Sequence, residues 1–187
     1  MEEATISETQ NIYKFKITLF GTSNVGKTSL ILRFINDSFV NDIKKTIGTN
    51  FLIKDLHVDN KNIRLLIWDI GGQAQFSNMR SVYFKGSNAA IGVFDITSTD
   101  SLLKIPKWVM SIEKLGLKIP MVLLANKYDL APEQQIVQEE DIIELADQLS
   151  SKMDRKIDFM YTSALNGLNV ENVFFKIARM CLSNYSK

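Results

Sequence analysis

The sequence predicts an α/β fold: a mostly parallel six-stranded sheet with helices on both faces and one antiparallel edge strand pair. Three observations predict it. Strand-like and helix-like segments alternate along the chain, the pattern of parallel strands joined by helical crossovers. Several strand candidates are short and almost wholly apolar, Ala89 to Phe94 and Pro120 to Ala125 above all, as befits strands covered on both faces. Gly21-Thr22-Ser23-Asn24-Val25-Gly26-Lys27-Thr28 matches G-x-x-x-x-G-K-[ST] at every fixed position, between a strand and a helix.

The elements follow in order. Phe15 to Phe20 is a short apolar strand, and Ser29 to Ile35 an amphipathic helix on the far side of the loop. Thr49 to Val58 and Asn62 to Trp68 are two strands joined by a turn at Asp59-Asn60-Lys61, and they form the antiparallel pair. Ala89 to Phe94 and Pro120 to Ala125 add two buried strands, and Lys156 to Tyr161 the last one. Helical patterns fill the gaps at Ser101 to Leu115, Glu139 to Leu149 and Val170 to Leu182. In such a sheet, ligands bind beyond the C-terminal ends of the strands. There is no repeat, low-complexity tract or interdomain linker. One domain is expected over residues 13–187, after a flexible polar leader of residues 1–12.

Bulk properties narrow the classes further. A chain of 187 residues with 45% apolar residues can bury its own core without metals or disulfides. The single cysteine, Cys181, is read as a partly buried helical thiol too far from the end for prenylation. Net charge is +1 with no basic run, which argues against nucleic acid as a partner. The acidic start, with Glu2 in second place, offers no secretion or myristoylation signal, and no run reaches the length of a membrane span. The expectation is a monomer without a direct lipid anchor, cytoplasmic or peripheral to a membrane through partners. His57, the only histidine, is read as a strand surface residue, and Trp108 as part of a helix's packed face.

The loop at 21–28 suits a phosphate chain. Successive backbone N–H groups of Ser23, Asn24, Val25, Gly26 and the following Ser29 turn, with the positive end of the helix dipole, face the same point. Lys27 adds a compact cation for the outer phosphates, and the Thr28 hydroxyl is short enough to ligate Mg²⁺. Three further clusters follow apolar runs. Asp69-Ile70-Gly71-Gly72-Gln73 puts a carboxylate, a glycine N–H and an amide at a strand end, although alone it would also serve as an ordinary turn. Asn126-Lys127-Tyr128-Asp129 supplies a carboxylate able to accept from the N1–H and exocyclic amine of guanine, a donor pair that adenine lacks. Thr162-Ser163-Ala164-Leu165 offers backbone support for the guanine O6, and is equally readable as a plain loop.

Together these residues resemble the Ras superfamily of small GTPases, members of the P-loop NTPase fold, over about Tyr13 to Leu182. The resemblance implies GTP or GDP as ligand with Mg²⁺, slow GTP hydrolysis, and effector, exchange-factor and GTPase-activating partners. It assigns Lys27, Gln73 and Thr46 to catalysis and Thr28, Thr46 and Asp69 to the metal. Thr46, in Lys45-Thr46-Ile47-Gly48, matches the switch I threonine, nineteen residues after Lys27. Gly72 matches the contact to the terminal phosphate and Gln73 the residue that positions the attacking water in switch II. Phe39 matches the aromatic packed against guanine, with a helix-end core role as its alternative. Asn126, Lys127 and Asp129, with Ser163, Ala164 and Leu165, match the base site.

Subfamily features are mixed. Thr46-Ile47-Gly48 with Asp95-Ile96-Thr97 looks Rab-like, which implies vesicle trafficking and signalling; Trp68-Asp69-Ile70-Gly71-Gly72-Gln73 looks Arf-like. Leu165 stands where many relatives have a lysine packed on the base, and Ala74 where Ras and Rab proteins usually have glutamate. A GTP-loaded scaffold with negligible hydrolysis is the alternative function. A P-loop kinase is a third, opposed by Asn126 and Asp129.

Overall fold

The computed structural model of the protein describes residues 11–40, 46–73 and 80–185. Its strands are β1 Ile12–Phe20, β2 Thr49–Val58, β3 Lys61–Ile70, β4 Ala89–Asp95, β5 Met121–Asn126 and β6 Asp158–Thr162. They form one sheet in the order β2-β3-β1-β4-β5-β6, parallel throughout except for β2 against β3. The expected sheet with its antiparallel edge pair is therefore present. The helices are α1 Lys27–Asn36, α2 Arg80–Phe84, α3 Thr99–Leu103, α4 Ile105–Glu113, α5 Glu139–Met153 and α6 Val170–Tyr185.

Strand alternation divides the core in two. Phe15, Ile17 and Leu19 of β1 join α1 and α6 on one face, where the Phe34 and Phe174 rings stack at 4.0 Å between centroids. Phe20 points the other way, into the layer of α2, α4 and α5, with its ring 6.0 Å from that of Trp108. Trp108 is buried, as its position on the periodic face suggests. His57 is exposed and meets Asn62 Oδ1 at 3.0 Å, a surface pairing.

The differences from expectation have local causes. β1 begins at Ile12, opposite Asn62, so pairing reaches into the stretch read as leader; residues 1–10 lie outside the described residues. β3 runs on to Ile70, which makes Asp69 a strand residue rather than the start of a loop. The helix expected over 101–115 is two, α3 and α4, meeting at Lys104. Pro106 explains the break: it has no N–H for the carbonyl four residues back, and its ring crowds that position. α5 reaches Met153 because Ile142, Ala146, Leu149 and Met153 continue one buried row. α2 is five residues long, too short for a periodic signal.

Cys181 is buried in α6, and burial pushes its thiol up to about 12. The thiolate is the reactive form, so a thiol reagent should modify the native protein roughly 100-fold more slowly, or slower still, than the unfolded chain. Labelling at the unfolded rate would show that the end of α6 opens freely.

Candidate nucleotide and metal site

The loop from Gly21 to Thr28 leaves β1 at its C-terminal end and turns into α1. Gly21 has φ 139°, and a Cβ there would lie 2.1 Å from the Val93 carbonyl oxygen of β4. Gly26 has φ 95°, and a Cβ there would lie 2.3 Å from Asn126 Nδ2. Both positions therefore demand glycine for conformation and for room. Asn24 also takes the left-handed region, at φ 66°. Ser23 and Asn24 are exposed at the tip, Val25 is buried, and Ser29 is half-buried one turn in. The first amides of α1 face the loop with no side-chain cap at Gly26, so their donor capacity is directed into it. The Lys27 ammonium is folded under the loop, donating to the carbonyls of Gly21 at 3.0 Å and Thr22 at 2.8 Å. Burial lowers its pKa to about 8, with the Asp69 charge pulling the other way.

Below the loop, the three expected metal ligands converge. Thr28 Oγ1 donates to Asp69 Oδ2 at 2.5 Å, Thr46 Oγ1 donates to the same oxygen at 3.1 Å, and the two hydroxyls are 2.9 Å apart. Asp69 is fully buried, and burial raises its pKa against the hydrogen bond from Thr28 and the charge of Lys27. Its other oxygen, Oδ1, has no hydrogen-bond partner among the described residues. A buried carboxylate oxygen left so is costly, and a hard cation that takes oxygen ligands satisfies it. The donor set therefore fits Mg²⁺. Among the described residues no three His, Cys, Asp or Glu side chains cluster for a metal, so a cation here depends on hydroxyls as much as on Asp69.

The segments around Thr46 and Gly72 touch each other and the loop. Gly71 N donates to Gly48 O at 2.8 Å. A Cβ at Gly71 would lie 2.8 Å from Thr46 O, and one at Gly72 would lie 2.2 Å from Ser23 N. Gln73 is half-buried at the mouth, lining a cavity of about 540 Å³ with Ser23, Asn24, Gly72, Asp95 and Lys127. Ala74 and Lys45 lie outside the described residues.

The base-side cluster is cross-braced. Asn126 Nδ2 donates to Val25 O at 2.8 Å, and Asn126 Oδ1 accepts from Thr162 Oγ1 at 3.2 Å. Ser163 Oγ donates to Asp129 Oδ1, and Lys127, at φ 68°, pairs with Asp95 Oδ2 at 2.5 Å. Ala164 is buried beside them, whereas Leu165 is 52% exposed. Phe39 is half-buried and packs on the α1 and α6 side of the core. The sequence reading missed the partners that orient these groups: Asp95 for Lys127, Thr162 for Asn126 and Gly48 for Gly71. Only Asp95 carries a signal, as a carboxylate ending a wholly apolar strand.

The Ras family model matches residues 16–183 of this chain. The chain belongs to the Ras family. This Ras-family chain is Rab-like: GTP-binding protein YPT1 of Saccharomyces cerevisiae is 37% identical over 176 residues, 94% of this chain and 82% of that protein. Ras-related protein Rab-8A of Rattus norvegicus and of Mus musculus is 37% identical over 168 residues, 89% of this chain and 78% of each relative. As a Ras-family protein, the chain binds guanine nucleotides and is a GTPase. No helix among its described residues is long and apolar enough to cross a membrane.

Proposed function

We propose that this Ras-family GTPase is a two-state switch, with switch I around Thr46 and switch II around Gln73. The observation that carries the reading is the convergence of Thr28 and Thr46 on Asp69 beneath the phosphate loop. Those three residues come from α1, the segment before β2 and the end of β3. Oxygen donors from three parts of the chain meet beneath the loop that would hold the outer phosphates of a nucleotide, which supports the reading. Thr28, Thr46 and Asp69 would hold Mg²⁺, which when bound supplies positive charge to the β- and γ-phosphates.

The rest is positioning. Lys27 exchanges its two loop carbonyls for phosphate oxygens, a stronger charge-assisted pairing. Gly72 N–H meets the terminal phosphate, and the Gln73 amide orients a water in line with the γ-phosphorus. The water's oxygen bonds to that phosphorus as the bond to the β–γ bridging oxygen breaks, and GDP leaves with the electron pair. Loss of the γ-phosphate removes the contacts of Thr46 and Gly72, and the two segments separate. Asp129 and Asn126 select guanine, with Lys127, Phe39, Ser163, Ala164 and Leu165 around the base. The loops flanking the site supply no arginine that matches a built-in finger, so turnover is slow and an activating protein is implied. Effectors and exchange factors complete the cycle, and the Rab-like motifs and relatives support a place in vesicle traffic.

Three measurements test this. Chromatography of the denatured protein should release bound guanine nucleotide, and single-turnover assays should convert GTP to GDP and phosphate. Bound GTP that never turns over would make the chain a scaffold. Thr28→Asn should lose Mg²⁺-dependent GTP binding in preference to GDP binding, because a ligand is gone and a bulkier amide crowds the ion. Equal Mg²⁺ dependence of wild type and variant in calorimetry would remove Thr28 from the ligand set.

A further inference from the structure

A second cavity lies at the opposite end of the sheet from the phosphate loop. Pro120 comes just ahead of β5, and Arg155 and Lys156 just ahead of β6, so all three sit where the parallel strands begin. The facing wall is the stripe of α6 that carries Lys176 and Arg179. Between them is a groove of about 770 Å³, with the partly buried Met160 and Met180 on its core side.

The cations of this groove differ in how they are matched. Asp158 is shared by Lys156 at 3.1 Å and Lys176 at 2.7 Å, one carboxylate for two ammoniums. Arg179 meets Asp59, of the turn between β2 and β3, at 3.3 Å. The Arg155 guanidinium makes no hydrogen bond or ion pair with any described residue, and its Nε is buried with no acceptor. Burial lowers its pKa, with the charge of the neighbouring Asp154 pulling the other way. A covered donor left idle is costly, and an acceptor brought to it offsets that cost. The turn that carries Arg155 is already fixed: Arg155 N donates to Ser150 O at 3.1 Å, and Ile157 N to Ser150 Oγ at 2.9 Å. A ligand therefore has little backbone to order here.

We propose that this groove binds phosphate monoesters, carried by a small molecule or by a lipid headgroup, with the planar fork of Arg155 turned outward as their anchor. A phosphate accepts two parallel bonds from a guanidinium, and Lys156 and Lys176, only half matched by Asp158, supply further charge. Arg155, Lys156 and Lys176 outnumber Asp154 and Asp158, so a phosphate dianion is balanced better than a singly charged carboxylate. The volume is too large for a bare ion. A cavity of this size takes an organic body that brings its phosphates to several of these cations at once. Met160 and Met180 lower the local dielectric beneath them, which strengthens each pairing.

Calorimetry on protein loaded with GDP and Mg²⁺, which keeps the phosphate loop filled, tests this with inositol trisphosphate as the probe. Wild type should bind it. Arg155→Met should weaken that binding by about tenfold or more with GDP affinity unchanged, and Arg155→Lys, which keeps the charge without the fork, should fall between. Asp158→Asn should instead tighten it by about threefold, because a competing anion is gone. No binding to wild type, or equal binding to wild type and Arg155→Met, overturns the proposal. If Arg155→Met does not fold, the wild-type Arg155 Nε–H resonance decides: it must shift as the probe is added, and a fixed resonance overturns the site. Sedimentation with phosphatidylcholine vesicles, with and without phosphatidylinositol bisphosphate, separates the two sources. Pelleting only with the phosphorylated lipid, and lost in Arg155→Met, assigns the site to a headgroup. A protein that binds the soluble probe but stays in the supernatant takes its phosphate from a free small molecule, and pelleting that survives Arg155→Met overturns the proposal.

Discussion

Asp129→Asn should weaken GTP binding by about 10²- to 10³-fold and at the same time improve binding of xanthosine triphosphate. The carboxylate offers two acceptors to the N1–H and amine of guanine, and charge-assisted bonds contribute roughly 1.5–3 kcal/mol each. An amide keeps one acceptor and presents a donor where guanine also donates, but where xanthine has a carbonyl. The fold should tolerate the exchange, because the Ser163 hydroxyl that donates to Asp129 Oδ1 can rotate to accept from the amide instead. Competition assays with both nucleotides, alongside a melting curve, check this. Unchanged GTP affinity would move the base site elsewhere.

Gln73→Leu should slow single-turnover hydrolysis by about 10- to 100-fold with GTP affinity nearly intact, since misplacing an attacking group carries a cost of that order. Leucine fills similar volume but cannot hold a water by hydrogen bonds. Gln73 follows Gly72, whose Cβ-less backbone lies against Ser23 N, so the side chain starts from the rim of the phosphate loop. A variant as fast as wild type would mean that another group orients the water and that Ile70-Gly71-Gly72 sets a different path for switch II.

The sheet was legible in the sequence wherever burial on both faces wrote continuous apolar runs, as at Ala89 to Phe94 and Pro120 to Ala125. Boundaries were less so. Pairing with Asn62 carries β1 back to Ile12, through Tyr13 and Lys14 ahead of the run that begins at Phe15, and Pro106 splits a helix whose apolar period runs on undisturbed. For the site, the glycines and Lys27 announced themselves through spacing, and the strand-end clusters through their place after apolar runs. What could not be read were bonds between distant segments. Nothing in the neighbourhood of Gly71 foretells Gly48, and nothing around Asn126 foretells Val25, 101 positions away. Such partners exist only once the sheet has brought the strand ends together.

The Asn126 amide has a kinetic meaning as well as an architectural one. It ties the phosphate loop to the end of β5 with one hand and takes Thr162 of β6 with the other. The missing side chain at Gly26 leaves the space it occupies. On the switch reading, the pockets for the two ends of a nucleotide are therefore braced against each other through this side chain. On that reading, the residence time of GDP then depends in part on that carboxamide. A protein that pries the loop from Asn126 would eject the nucleotide from its phosphate end and release the base with it, without ever touching Asp129.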